Sequence, residues 1–353
     1  MNKHQAVTYT LANPIDDSAN PMLNQKRLSC PVCNSNAKLT GFLKADYIIN
    51  QIELYYCEKL PSNLGIIDYK MYRCEKCTLE WADPPVGGAD SFYKWIIDHP
   101  AYYPNERWEW TAVIERMRKT PCSGIADVLE IGCGHGEFLE ALQDVPNIRA
   151  VGLDTAMDSV TNCRAKDLEV YCETIDSFLE SANKRHGFDW IVAFHCLEHV
   201  CYPQNFLAAM VSLLKPSGVI FLSTPYSPMS FESRWFDPLN HPPHHMTRWN
   251  ARSYNELARQ IGMQIELFMP NSNNSTFQII EELIPLNRTL NSLNLAWHGP
   301  VQLLSKRKMI FAALRHPLIF CEELFFQKKR EKINNMTTAD VVLVELTPDL
   351  STY

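Results

Sequence analysis

Two apolar periods take turns along this chain. Short apolar runs near 126–131, 149–153, 168–172, 189–194, 218–223 and 263–268 read as strands. Between them, 137–144, 156–165, 175–184, 203–214 and 251–261 carry the wider spacing of amphipathic helices. Alternation of this kind predicts an α/β fold whose parallel sheet is covered on both faces. Outside this block the pattern changes. Residues 1–27 are polar, with the breakers Asn13-Pro14 and Asn20-Pro21, and predict a loose tail. Residues 28–84 hold paired cysteines and short aromatic runs, and Asp83-Pro-Pro-Val-Gly-Gly88 ends them with a break. Residues 85–123 predict an aromatic helical lead-in to the sheet domain at 124–270. Residues 271–337 predict a helical insertion, and 338–353 hold a last strand, Asp340-Val-Val-Leu-Val-Glu-Leu346, and a tail.

The first strand of the alternating block is followed by Gly132-Cys-Gly134-His-Gly136 and then a helical pattern. A strand, a glycine-rich turn and a helix start let backbone amides and the positive helix end approach a ligand. The next strand, Val151-Gly152-Leu153-Asp154, ends in a carboxylate, placed to accept hydrogen bonds from ribose hydroxyls. Both features together point to a nucleotide-like ligand.

The order and spacing of four motifs decide which one. Glu130-Ile-Gly-Cys-Gly-His-Gly136, Gly152-Leu-Asp154, Phe188-Asp-Trp-Ile-Val-Ala-Phe-His-Cys-Leu-Glu-His-Val200 and Leu214-Lys-Pro-Ser-Gly-Val-Ile-Phe-Leu-Ser-Thr-Pro225 resemble the class I S-adenosylmethionine (SAM)-dependent methyltransferases. The likeness is to the branch containing the ubiquinone-biosynthesis O-methyltransferases, over about 124–270. It implies a Rossmann-like seven-stranded sheet with an antiparallel last strand. It also implies roles for single residues. Glu130 orients the methionine end of SAM, Gly132, Gly134 and Gly136 give close approach, and Asp154 holds the ribose. Thr174, Ile175 and Asp176 lie where the adenine is met, and Phe194 and His195 sit at the lip where the methyl points. For Ile175 and Phe194, core packing is an equal alternative.

Cys30-Pro-Val-Cys33 and Cys74-Glu-Lys-Cys77 are two C-x-x-C knuckles, each able to aim two thiolates at one tetrahedral Zn²⁺. Four protein ligands close the coordination shell, so the predicted zinc is structural. Cys57, between the knuckles, is an alternative ligand. Some sugar C-methyltransferases resemble this layout too, which keeps carbon open beside oxygen as the acceptor atom.

Two histidine clusters are candidates for the chemistry. His195, Glu198 and His199 follow the fourth strand, at spacings that share a face if a helix begins there. They read as a loop-fixing hydrogen-bond set, a catalytic base, or a divalent-cation site at Glu198 and His199. His241, His244 and His245 lie on the proline-stiffened loop Asn240-His-Pro-Pro-His-His-Met-Thr-Arg-Trp249, on the ligand edge of the sheet. His245 or His244 is the favoured general base. The aromatic residues Tyr93, Trp95, Tyr102, Tyr103, Trp108 and Trp110 predict a lid or core packing.

Composition narrows the class. Across 353 residues the net charge is −7, which argues against a protein built to grip phosphate backbones. No Asn-Pro-Pro-Tyr-type motif for base amines follows the fourth strand, so no nucleic-acid partner is expected. Twelve scattered cysteines, no opening signal-like segment and no apolar run of about 18 residues predict reduced thiols in the cytoplasm. The stretch 306–326 mixes bases with bulky apolar residues. It suits a membrane-surface or lipid-linked acceptor contact, a substrate lid or a homodimer contact. The reading is a methyltransferase acting on a hydroxyl or carbon of a small molecule, glycan or secondary-metabolite precursor. A non-catalytic partner subunit of the same fold is the alternative.

Overall fold

The computed structural model describes residues 28–56, 58–99, 102, 107–120, 124–181, 187–229, 232, 236–269 and 340–349. The predicted tail 1–27, Cys57, Tyr103 and the insertion 271–337 lie outside the described residues.

Seven strands form the larger sheet: β4 (Ala126–Ile131), β5 (Ile148–Asp154), β6 (Val170–Cys172), β7 (Phe188–Phe194), β8 (Leu214–Pro225), β10 (Met263–Phe268) and β11 (Val341–Pro348). Their spatial order is β10-β11-β8-β7-β4-β5-β6. The five from β6 to β8 run parallel, whereas β11 is antiparallel to both β8 and β10. This is the Rossmann-like arrangement expected. Every residue of β4 is buried, the continuous apolar strand that a sheet covered on both faces demands.

The helices between strands match the pattern closely: α4 (Glu137–Gln143), α5 (Met157–Arg164), α6 (Ile175–Ser181), α7 (Pro203–Leu213) and α8 (Ala251–Gln260). One boundary moved. The strand expected at 218–223 begins at Leu214, because Pro216 disfavours helical backbone at Lys215 and Phe188 of β7 pairs with Leu214.

Order reverses at β4: β5 and β6 build to one side, β7 and β8 to the other. Ligands bind at such a switch point, beyond the carboxyl ends of the strands. The glycine turn after β4 and the segment after β7 both open there.

The cysteine-rich segment forms a second, antiparallel sheet from β1 (Ala37–Leu43), β2 (Tyr69–Cys74) and β3 (Glu80–Asp83), completed by β9 (Thr247–Arg248) from the histidine loop. A helix that the aromatic runs did not suggest, α1 (Ala45–Tyr56), fills the connection between β1 and β2 and buries Ile48 and Ile52, one turn apart. Two further helices, α2 (Asp90–Ile97) and α3 (Trp108–Lys119), form the lead-in. One apolar cluster runs from Cys30, Cys77, Leu79 and Trp81 through to Leu129, Ile191 and Val344 of the larger sheet. Among the described residues, no helix is long and apolar enough to cross a membrane.

Candidate active site

The turn after β4 holds Gly132, Gly134 and Gly136 at φ of 74°, 52° and 84°, backbone that side chains beyond glycine rarely adopt. Asp154, at the end of β5, reaches back into this turn. Its carboxylate accepts from the Gly134 amide at 2.9 Å and the Ala156 amide at 2.8 Å. Burial nevertheless raises its pKa, with those amides pulling the other way. A Cβ at Gly132 would meet Cys196 at 3.3 Å and nothing else within 4 Å among the described residues.

Glu130 is 3% exposed, and its Oε2 has no hydrogen-bond partner among the described residues. Burial, reinforced by Glu137, pushes its pKa well up. A buried acceptor left unpaired costs about 1–3 kcal/mol, and an ammonium group is a chemically apt donor for it. Together Glu130, the glycine turn and Asp154 can take the methionine and ribose parts of SAM. Thr174 caps α6, its hydroxyl accepting from the Ser177 amide at 3.2 Å. Ile175 packs into the main core, and Asp176 is exposed on the first turn of α6. Phe194 packs edge-on against Phe138 with ring centres 4.9 Å apart. Core packing thus accounts for Ile175 and Phe194, while Thr174 and Asp176 are exposed at the start of α6.

The segment after β7 is a short 3-10 turn, Leu197–His199, and not the expected helix start. His195 stands outside it at φ 49°, yet its side chain still meets Glu198. Its Nε2 lies 2.9 Å from Glu109 of α3, and its Nδ1 lies 3.4 Å from Glu198. Burial and Arg107 push the His195 pKa down, but the bonds to the two carboxylates outweigh them and hold it above the ordinary value. Burial likewise opposes ionisation of Glu109, and the His195 bond wins, leaving its pKa low. This is an ion pair. Sequence reasoning missed Glu109, because only the packing of α3 against the sheet brings it to β7.

The other imidazoles behave oppositely. His199 Nδ1 donates to the His244 carbonyl at 2.7 Å, and His244 Nδ1 donates to the Leu239 carbonyl at 2.8 Å. His245 Nδ1 donates to Asn240 Oδ1 at 3.1 Å. Carbonyl oxygens only accept, so each ring carries its proton on Nδ1 and keeps the Nε2 lone pair. Burial lowers the pKa of all three, and neighbouring imidazoles push His244 and His245 further. The bonding separates the two loop histidines. His244 Nε2 is engaged by the Tyr102 hydroxyl at 3.0 Å, whereas His245 Nε2 faces Glu198 at 4.0 Å. One ring nitrogen from each of His199, His244 and His245 lies within 4.8 Å of the others. Glu198 is 1% exposed, and among the described residues its carboxylate is met only by His195 at 3.4 Å and His245 at 4.0 Å, with no shorter hydrogen bond.

The aromatic lead-in divides in the same way. Tyr93 donates to the Pro243 carbonyl at 3.1 Å and Tyr102 meets His244, so both touch the histidine loop. Trp95 packs against Tyr56 and His99. Trp108 and Trp110 lie against the core beside the larger sheet.

The four cysteines converge as the spacing predicts. Sγ of Cys30 and Cys77 lie 3.5 Å apart, those of Cys33 and Cys74 3.4 Å, and all four fall within 4.8 Å of one another. Tetrahedral zinc with bonds of about 2.3 Å sets sulfur separations of about 3.8 Å. Amides of Val32, Lys76 and Cys77 point at the sulfurs of Cys30 and Cys74 at 3.3–3.4 Å, a donor set that favours thiolates. The site fits a structural Zn²⁺.

Residues 105–267 match the family described as a methyltransferase domain. A probable S-adenosylmethionine-dependent methyltransferase of Mycolicibacterium smegmatis is 32% identical over 145 residues, which cover 41% of this chain and 54% of that protein. The mitochondrial ubiquinone biosynthesis O-methyltransferase of Dictyostelium discoideum is 30% identical over 145 residues, covering 37% of this chain and 43% of that protein. The chain thus spans about half the length, or less, of these curated relatives. A solved SAM-dependent methyltransferase from Archaeoglobus fulgidus overlays 67% of this chain and 94% of its own, at 18% identity and a TM-score of 0.41.

Proposed function

We propose that the whole chain, whose residues 105–267 match a methyltransferase-domain family, is an active SAM-dependent methyltransferase. Its acceptor is a hydroxyl, or an activated carbon, of a small molecule, glycan or secondary-metabolite precursor, and His245 is the general base. One observation carries the choice of His245. Its Nδ1–H is tied to Asn240, while its Nε2 makes no hydrogen bond among the described residues and stands 4.0 Å from a buried carboxylate.

Bound SAM supplies an electrophilic methyl on a positive sulfonium. Glu130, the turn 132–136 and Asp154 hold it, with Thr174 and Asp176 near the adenine. As the acceptor attacks, the S–CH₃ bond breaks and the sulfonium becomes a neutral thioether. The acceptor's proton passes to His245 Nε2. Positive charge then sits on an imidazolium beside Glu198, which offsets it in a dry setting. Alignment and exclusion of water supply much of the remaining acceleration. Cys30, Cys33, Cys74 and Cys77 would hold a Zn²⁺ whose part is structural, since four protein ligands leave no open position.

A second reading is favoured by the three imidazoles of His199, His244 and His245, one ring nitrogen of each lying within 4.8 Å of the others, with the buried Glu198 beside them. In it these groups would hold a divalent cation, which would supply Lewis-acid activation of an acceptor oxygen. Chelator separates the two readings.

The test begins with calorimetry, in which Asp154→Ala should weaken S-adenosylhomocysteine binding by roughly 1–3 kcal/mol. Turnover is then followed with labelled SAM on an acceptor found by screening. His245→Ala should lower it by roughly 10²–10⁴-fold with cofactor affinity intact. Near-wild-type turnover in that variant would remove the base assignment. Loss of activity on chelation, restored by Mg²⁺ or Mn²⁺, would favour the cation reading. Absence of any methyl transfer beside normal cofactor binding would favour a non-catalytic partner subunit.

A further inference from the structure

The base is wired to the zinc-module sheet through an unbroken chain of polar contacts. Glu80 opens β3, three residues after the ligand Cys77. Its Oε2 lies 3.0 Å from Arg248 Nη1, across the β3–β9 pairing of Glu80 with Arg248. Arg248 is 8% exposed, and its Nη2 donates to Glu232 Oε1. The same Glu232 oxygen accepts from Asn240 Nδ2 at 2.7 Å, and Asn240 Oδ1 accepts from His245 Nδ1 at 3.1 Å. Backbone contacts run parallel to this chain. The Ala82 amide donates to the Met246 carbonyl at 2.9 Å, and the Met246 amide donates to the Glu198 carbonyl at 2.8 Å.

The logic of the chain lies in what each group can do. A carboxylate oxygen only accepts, so Glu232 fixes the NH₂ end of the Asn240 amide toward itself. The amide oxygen is then turned to His245, and an oxygen there demands a proton on Nδ1. Were the amide reversed, its NH₂ would face the ring, and the proton would move to Nε2, abolishing the base. Arg248 holds Glu232, and Glu80 holds Arg248.

We infer that Arg248, Glu232 and Asn240 are positioning residues that set the His245 tautomer, and that the zinc-module sheet anchors them through Glu80. The inference rests on the reading of His245 as base, but its test does not. Nitrogen-15 spectra of histidine-labelled full-length protein report the tautomer of each ring directly. The wild type should show His245 protonated on Nδ1. Glu232→Leu, which touches no part of His245, should move the proton wholly or partly to Nε2, and Asn240→Leu should do the same. Glu232→Gln, turned with its own oxygen toward Asn240, should preserve the wild-type signal. S-adenosylhomocysteine affinity and zinc content should stay within about twofold of wild type in all three, which identifies a folded protein. An unchanged His245 signal in both folded leucine variants would overturn the inference. A shifted signal beside undiminished turnover of His245→Ala would leave the chain standing and remove the base.

Discussion

His244 and His245 are adjacent in sequence and stacked 4.5 Å apart, and their second nitrogens divide their roles. Tyr102 closes His244 into the scaffold, while His245 Nε2 faces Glu198 at 4.0 Å and makes no hydrogen bond among the described residues. His195 differs from both because two carboxylates meet it. The raised pKa of His195 contributes stability that is full below the ordinary value of about 6.5 and lost as pH rises through its folded value. The lowered pKa of Glu109 contributes stability present above about 4.3 and lost as pH falls through its own folded value. The pair is therefore most stabilising between those limits. Glu109→Gln should cost roughly 1–3 kcal/mol near pH 6, and less at pH 9. Urea unfolding of wild type and variant at both pH values measures this. A deficit that grows with pH would show that the pair is not ionised as described.

At the scale of elements, the glycine turn joins three demands in five residues. Gly136 is the N-cap of α4 in left-handed backbone, and a Cβ there would stand 2.6 Å from Leu168 Cδ1 and 3.0 Å from Cys163 Sγ. Left-handed backbone costs alanine about 1–2 kcal/mol. Overpacking a buried contact adds about 1–3 kcal/mol. Gly136→Ala should therefore destabilise by roughly 2–4 kcal/mol, read as a fall in the urea midpoint. A midpoint equal to wild type would mean that the turn relaxes freely. Two-residue β9 carries weight beyond its length. It adds the last strand to one sheet while its loop presents histidines to the edge of the other.

At the scale of the whole molecule, the four-stranded sheet beside the cysteine knuckles cannot be completed without Thr247 and Arg248. The knuckles are also tied directly to the larger domain. Gln204 of α7 donates to the Val32 carbonyl at 2.6 Å, and Lys76 pairs with Glu256 of α8 at 2.9 Å. Metal binding is thus expected to couple to the stability of the full body. Purified protein should hold about one zinc per chain, and Cys74→Ser should lose it. The described body should unfold in one calorimetric transition, displaced to lower temperature in the variant. Two transitions, with the larger one unmoved by loss of zinc, would mean that the module folds independently.

The sequence by itself determined the alternating sheet, the glycine turn with Asp154 beside it and the convergence of the four cysteines. Each depends on local spacing: apolar period, glycine at positive φ, and two residues between paired thiols. The His195–Glu198 contact was legible for the same reason, although the backbone between them is a 3-10 turn. Tertiary structure alone decided the rest. Glu109 lies 86 residues from His195, and Glu80 lies far from Arg248, so no period links them. Glu232 and Asn240 are near in sequence to His245, but nothing in their spacing shows which way an amide turns. That follows only when a buried carboxylate and a buried imidazole meet its two ends, because an unmatched donor or acceptor costs too much where water is excluded.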